Sequence, residues 1–191
     1  MRLTLAALLC GLAALVLGTG SARAFGGNYT FDGGTAGEQA QVRAGLNASS
    51  FDFDIVQQRI VIHVERGTDS YSQPGQIWLD ADLLDAGRFS WGTVQHEYAH
   101  QIDFFLLTPG MRAQLQTLLG GSDWCYENAA VTAHDDHACE RFASTLAAAY
   151  WQSPDNTAHA SVPAARFRSV LTQLLGLAPL RTTASANANR R

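Results

Sequence analysis

The sequence predicts one α+β domain, with a small mixed or antiparallel sheet in its first half and helices in its second half. Two periodic patterns carry this prediction. In residues 59–65 (RIVIHVE), Ile60, Ile62 and Val64 alternate with the other side chains, which is typical of a half-buried strand. From residue 90 onwards, apolar residues recur instead at the spacing of amphipathic helices.

The remaining elements follow from similar signals. We expect a helix at residues 36–47, a second short strand at residues 75–80 (GQIWLD), and a turn-rich segment (TDSYSQPG) between the two strands. A long helix should begin at Ser90 and reach Leu107, where Thr108-Pro109-Gly110 ends it. Three more helices are predicted, at residues 111–119, 139–151 and 167–174.

The first 24 residues have the features of a cleaved signal peptide. Arg2 precedes an apolar run from Leu3 to Leu17, and residues 21–24 (SARA) end in the small-x-small pattern of a cleavage site. The run is too short to span a bilayer comfortably. We therefore expect a secreted or periplasmic protein with no membrane attachment after cleavage, a domain at residues 25–180 and a disordered tail at residues 181–191.

Charge and cysteine content narrow the partners and the compartment. Loss of Arg2 and Arg23 with the signal peptide would change the formal net charge from −4 to −6. A chain this acidic is not expected to bind nucleic acid or an anionic membrane, because both demand a basic patch. The two cysteines of the mature chain, Cys125 and Cys139, predict a disulfide in an exported protein, which we expect to be a monomer.

The segment HEYAH, at residues 96–100, has the spacing of a zinc site. Residues i and i+4 of a helix lie on one face, so His96 and His100 can direct their imidazoles at one Zn²⁺ ion. Glu97 lies beside the first histidine, where it can accept a proton from water rather than bind the metal. These residues predict two metal ligands and a general base.

A catalytic zinc ion needs a third protein ligand and an open position. Asp103 continues the same helix and lies too far along its axis, so we expect it either to orient an imidazole or to be a solvated carboxylate. Glu140 is the stronger candidate, because the small residues Ala143, Ser144 and Ala147 would let its helix approach the HEYAH helix closely.

HEYAH, followed some forty residues later by ERFASTLAAAYW, resembles the gluzincin metallopeptidases, and most of all the branch of the Mlc titration factor and anthrax lethal factor. The resemblance implies a zincin-like fold with His96, His100 and Glu140 as zinc ligands and Glu97 as the base. It also implies that GQIWLD is the edge strand that pairs with an extended peptide substrate.

Relatives in that branch place an oxyanion-stabilising tyrosine about two turns before the glutamate ligand, and here Ala133 stands at that place. We therefore expect His134 to donate this hydrogen bond, with His137, Tyr126 and Tyr150 as the alternatives. The acidic pair Asp135 and Asp136 could instead hold a separate structural cation.

The sequence thus predicts a secreted zinc metallopeptidase that acts on a peptide or protein. The alternative is a non-catalytic exported module with a structural metal or a binding surface, in which His137 would supply a fourth ligand. A zinc hydrolase of other amides or esters is a third hypothesis.

Overall fold

The computed structural model describes residues 26–128, 130 and 133–177, so the predicted signal peptide and C-terminal tail lie outside the described residues. The α+β class is confirmed: the described residues form a small mixed sheet followed by a helical half. The strands are β1 (Tyr29–Gly33), β2 (Ile60–Glu65), β3 (Tyr71–Gln73) and β4 (Gln76–Asp80). The helices are α1 (Ala36–Ala48), α2 (Ala81–Asp85), α3 (Trp91–Leu106), α4 (Pro109–Leu119), α5 (Ala138–Tyr150) and α6 (Ala164–Leu174).

The sheet has the strand order β1-β2-β4-β3. Strands β1, β2 and β4 are parallel, and β3 runs antiparallel to β4. The predicted alternation of β2 is confirmed, since Ile60, Ile62 and Val64 are buried while Val61 and His63 are only partly covered. One face of the sheet therefore contributes to the core.

The prediction that GQIWLD is the edge strand is wrong. These residues form β4, which pairs with β2 on one side and with β3 on the other. The edge strand is β3, whose three residues lie within the segment TDSYSQPG, which the sequence predicts to be turn-rich. Its polar composition hides the strand, which is held by pairing with β4 rather than by an apolar face of its own.

The long helix α3 lies at the centre of the helical half. It packs against α1 on one side and α5 on another, and α5 in turn contacts α4 and α6. Val94, Tyr98 and Ile102 bury one face of α3 in the core, as their spacing predicts. No described helix has the length and apolarity needed to cross a membrane.

The helix ends have local causes. The Thr35 side chain accepts a hydrogen bond from the Glu38 amide, and the Glu38 carboxylate accepts one from the Thr35 amide, which is the capping box at the start of α1. Thr108 caps α4 in front of Pro109, and α4 ends at Gly120, whose φ of 78° suits glycine. These boundaries fix where α3 stops and where the chain turns back towards α5.

Candidate metal centre

Helix α3 presents His96 and His100 one turn apart on the face that meets α5. Their Nε2 atoms are 3.2 Å apart, and the two side chains are 14% and 8% exposed. The opposite face of the helix is fixed in the core by Val94, Tyr98 and Ile102. Packing therefore sets the direction in which both imidazoles point.

Helix α5 brings Glu140 to the two imidazoles. Its Oε2 atom lies 3.1 Å from Nε2 of His96 and 3.3 Å from Nε2 of His100. The close approach of the helices depends on small side chains, because Ala143 and Ala147 are fully buried in the first turns after Glu140. The structure therefore brings together the three side chains that the sequence predicts as ligands.

The spacing of these donor atoms fits a tetrahedral metal ion. Ligand atoms at about 2.0–2.1 Å from zinc stand about 3.3–3.4 Å from one another. The three observed separations, among His96, His100 and Glu140, are 3.1, 3.2 and 3.3 Å. The donor set of two imidazoles and one carboxylate is also one that zinc accepts.

The tautomer of His96 suits a ligand. Its Nδ1 lies 3.1 Å from the hydroxyl oxygen of Ser144 on α5, so Nδ1–H can donate there and leave the Nε2 lone pair facing His100 and Glu140. Lone pairs and a carboxylate oxygen at this separation repel one another unless a proton or a cation lies among them. The cluster thus demands a positive charge at its centre.

The surroundings keep Glu140 ionised. Burial raises the pKa of this carboxyl, but the adjacent imidazoles of His100 and His96 outweigh burial and hold the pKa well below its ordinary value. Burial lowers the pKa of His100, but the hydrogen bond to Glu140 and the charges of nearby carboxylates outweigh burial, so the pKa is raised overall. The site therefore favours cations.

Glu97 lies beside the cluster without joining it. Its carboxylate lines the same cavity as His96, His100 and Glu140 and is almost fully buried. The Ser72 hydroxyl on β3 lies 2.9 Å from Glu97 Oε2 and 2.8 Å from the Glu97 carbonyl oxygen. Sequence patterns did not reveal Ser72, because only the tertiary approach of β3 to α3 brings it there.

A second residue of α3 fixes the hairpin formed by β3 and β4. The Gln101 amide nitrogen donates to the carbonyl oxygens of Gln73 and Gln76, and its amide oxygen accepts from the Gly75 amide. Gln101 is fully buried. The edge strand β3 is thus tied to the helix that carries the predicted ligands, one residue after His100.

Asp103 has partners other than the predicted imidazole. Its Oδ1 accepts from Arg112 Nε at 2.7 Å, and its Oδ2 accepts from Trp124 Nε1 at 3.0 Å. The side chain is buried, so the alternative of a solvated carboxylate is also wrong. Asp103 instead joins α3 to α4 and to the loop that follows α4.

That loop, residues 120–137, is tied to α5 by the predicted disulfide between Cys125 and Cys139. Tyr126, next to the bond, has a φ of 57°, the only positive value among non-glycine residues in the described ranges. Its phenol oxygen lies 2.6 Å from His134 Nδ1 and 3.2 Å from Glu140 Oε1. The disulfide therefore anchors a loop that reaches the cluster.

The four candidates for the oxyanion donor lie in different places. Tyr126 and His134 line the cavity at the cluster. His137 is fully buried, with Nδ1 2.5 Å from Asp123 Oδ1, and Tyr150 is a core residue packed on Phe51. Only the first two candidates can meet a substrate at this site.

Asp135 and Asp136, proposed above as a separate cation site, contact Arg141 instead. Asp136 pairs with Arg141 at 3.3 Å, and Arg141 Nε also donates to the Asp135 carbonyl oxygen. Among the residues that the structure describes, neither aspartate belongs to a group of converging metal-ligand atoms.

Three cavities surround the cluster. The largest, of about 300 Å³, runs from β3 along His96, His100 and Phe104 to Tyr126. A second, of about 290 Å³, lies on the far side of His134 and Glu140, towards residues 157–161. A third, of about 230 Å³, borders His96, Glu97 and Ser144. The cluster is therefore open to ligands from more than one side.

Comparison of the chain with known protein families, with curated proteins and with solved structures finds no match. The function is accordingly argued from the site itself.

Proposed function

We propose that the protein is a zinc-dependent metallopeptidase with a zincin-like fold, in which His96, His100 and Glu140 hold one zinc ion. The observation that carries the proposal is the convergence of these three donor atoms within 3.3 Å, next to the buried carboxylate of Glu97. The resemblance of HEYAH and the downstream ERFA segment to the gluzincins supports the same assignment.

The ion would polarise the scissile carbonyl and lower the pKa of a coordinated water molecule towards about 7. Glu97 would accept a proton from the attacking water and pass it to the leaving amine. Ser72 holds the Glu97 carboxylate through the hydrogen bond to Oε2. The base is thus oriented by the edge strand β3 rather than by the helix that carries it.

The hydrogen-bond pattern favours Tyr126 as the donor to the carbonyl oxygen on which negative charge develops. The Tyr126 phenol donates to Glu140 Oε1, and burial followed by the nearby charge of Glu140 raises its pKa, so the phenol keeps its proton. The prediction that His134 fills this role stays untested.

An extended peptide is the substrate that the cavity fits best. Strand β3 forms one wall through Tyr71 and Ser72, together with Ser70 just before the strand, and it is the outermost strand beside the site. A peptide laid along it can form main-chain hydrogen bonds of the kind that add a strand to a sheet. Export is part of the proposal, and the disulfide supports it because such bonds persist in oxidising compartments.

The test is zinc content and cleavage of a mixed peptide library by wild type, Glu97→Gln and Glu140→Ala. We expect one zinc ion in wild type and in Glu97→Gln, and cleavage by wild type alone, with a loss of roughly 10²–10⁴-fold for Glu97→Gln. Glu140→Ala should lose zinc. Glu65→Gln, an exposed glutamate at the end of β2, is the matched control.

A non-catalytic, structural metal site is the second candidate, and the nearness of His134 Nε2 to Glu140 Oε2, 2.9 Å, favours it. Four protein ligands would close the centre. His137 cannot be that fourth ligand, because it is buried against Asp123. Bound zinc with no cleavage by wild type on any peptide pool would support this candidate over the peptidase.

A further inference from the structure

The imidazole of His134 reaches the cluster from the loop between α4 and α5. Its Nε2 lies 2.9 Å from Glu140 Oε2, on the same carboxylate oxygen that faces His96 and His100. Ligand atoms of His96, His134 and Glu140 all lie within 4.8 Å of one another. His100 is not in that group, so His134 is a further donor on Glu140 Oε2 rather than one already in contact with all three ligands of the proposed function.

The hydrogen bonds around Tyr126 determine which nitrogen of His134 carries a proton. The phenol has one hydrogen, which it donates to Glu140 Oε1, because a carboxylate that binds a metal ion has no proton to give. The 2.6 Å contact between the phenol oxygen and His134 Nδ1 then requires Nδ1–H to be the donor. In the neutral ring, Nε2 keeps its lone pair and presents it to the cluster, as a metal ligand does.

The exposure of His134 separates it from the other three donors. Its side chain is 67% exposed, whereas those of His96, His100 and Glu140 are 14%, 8% and 6% exposed. It belongs to a single 3-10 turn, His134–Asp136, rather than to a long helix. The imidazole can therefore leave the cluster by rotation of its side chain, without unpacking the core.

The position of His134 also divides the space around the centre. Both larger cavities, of about 300 and 290 Å³, have His134 and Glu140 in their walls. Movement of this imidazole away from the cluster would widen the space around Glu140. The side chain thus occupies space beside the centre that a ligand could take.

We propose that His134 is a displaceable fourth ligand, which closes the metal centre at rest and gives up its position to a substrate carbonyl oxygen or a small anion. This proposal rests on the metal centre of the proposed function. It accounts for a closed donor set and an oriented base, Glu97, in one site. It also gives Tyr126 a second role, as the acceptor that holds the His134 ring in its ligand tautomer.

The experiment uses Co²⁺ as the probe metal, because its visible absorption reports the number and kind of ligands. Metal-free wild type, His134→Ala, His134→Gln and the control His159→Ala are loaded with Co²⁺ and then titrated with sodium azide. His159 is an exposed histidine at the far cavity, outside the cluster. Circular dichroism confirms that each variant is folded.

We expect every variant to bind one Co²⁺, and both His134 variants to differ from wild type in their visible spectra. Azide should bind the His134 variants about tenfold more tightly if the open form makes up a tenth of wild-type molecules. His159→Ala should match wild type. Tyr126→Phe, which removes the acceptor of Nδ1–H, should fall between wild type and the His134 variants in azide affinity.

Three other results would overturn the proposal or the metal centre on which it rests. Identical spectra and azide affinities for wild type and His134→Ala overturn the fourth ligand and leave the three-ligand centre intact. Altered spectra without tighter azide binding, or loss of cobalt from the His134 variants, overturn displacement and indicate a fixed structural ligand. Absence of bound Co²⁺ from wild type overturns the metal centre itself.

Discussion

Replacement of both Cys125 and Cys139 by alanine should destabilise the protein by about 3 kcal/mol. The disulfide joins residues 14 apart in sequence, and closing a loop of about 15 residues in the unfolded chain is worth about 3 kcal/mol in the chain-entropy model. Cys139 is fully buried, so the loss of its sulfur adds a small packing penalty of the same sign. Alanine avoids placing a polar group there.

Urea unfolding of wild type and of the double variant measures this difference. Both proteins are kept metal-free with a chelator, because an ion bound to the folded state would add its own stabilisation. Wild type treated with a reductant should lose stability towards the level of the variant, and the variant should be indifferent to reductant. A loss below about 1 kcal/mol would refute the contribution assigned to the cross-link.

The same double variant tests whether the disulfide or the packing of α3 on α5 positions the metal ligands. Zinc affinity should fall only modestly, because His96, His100 and Glu140 are placed by the packing of α3 on α5. The visible spectrum of the cobalt protein should move towards that of His134→Ala, because the loop that carries Tyr126 loses its anchor. Loss of all metal binding would show that the disulfide, rather than helix packing, positions Glu140.

Three further predictions concern single residues. Ser72→Ala should lower kcat by about tenfold with zinc affinity unchanged, because Glu97 loses a hydrogen bond worth about 1.5 kcal/mol, and equal kcat values would exclude the positioning role. Arg112→Ala should cost about 3 kcal/mol in urea unfolding, because it leaves the buried Asp103 without its cation, and a loss under 1 kcal/mol would contradict this. Burial raises the pKa of Asp123, but its hydrogen bonds lower it overall. The stability that this carboxylate contributes is therefore present above its ordinary pKa and is lost as the pH falls through its pKa in the folded protein. Asp123→Asn should flatten the acid side of the curve of unfolding free energy against pH. Parallel curves for wild type and the variant would contradict this prediction.

The sequence predicted the elements whose periodicity comes from burial. Strand β2 and helix α3 were predictable because Ile60, Ile62 and Val64 face the core at period two, and Tyr98 and Ile102 at helical period. Strand β1, strand β3 and the five-residue helix α2 were missed. They are short, and β1 and β3 are partly exposed, so pairing with a neighbour, which a local pattern does not record, decides their structure.

The candidate site likewise contains residues that the sequence made predictable and residues that it did not. The positions of His96, Glu97 and His100 follow from helix geometry, and the small residues after Glu140 made its approach to them foreseeable. The contacts of Ser72 could not be foreseen, because they depend on how β3 crosses α3. The contacts of His134 were equally hidden, since a loop conformation anchored by the disulfide sets them.

The polar side of α3 explains why one helix can organise the whole site. Glu97 bonds to β3, Gln101 to the β3–β4 turn, His100 to α5, and Asp103 to α4 and the following loop. Each neighbouring element is therefore positioned by contacts with the same helix, α3, whose opposite face is buried in the core. A substitution on this polar side releases one element at a time, so we expect the geometry of the site to be lost before the fold is. The exposed imidazole of His134 is the exception, because it is held by the loop, and that difference makes it the part of the site able to move.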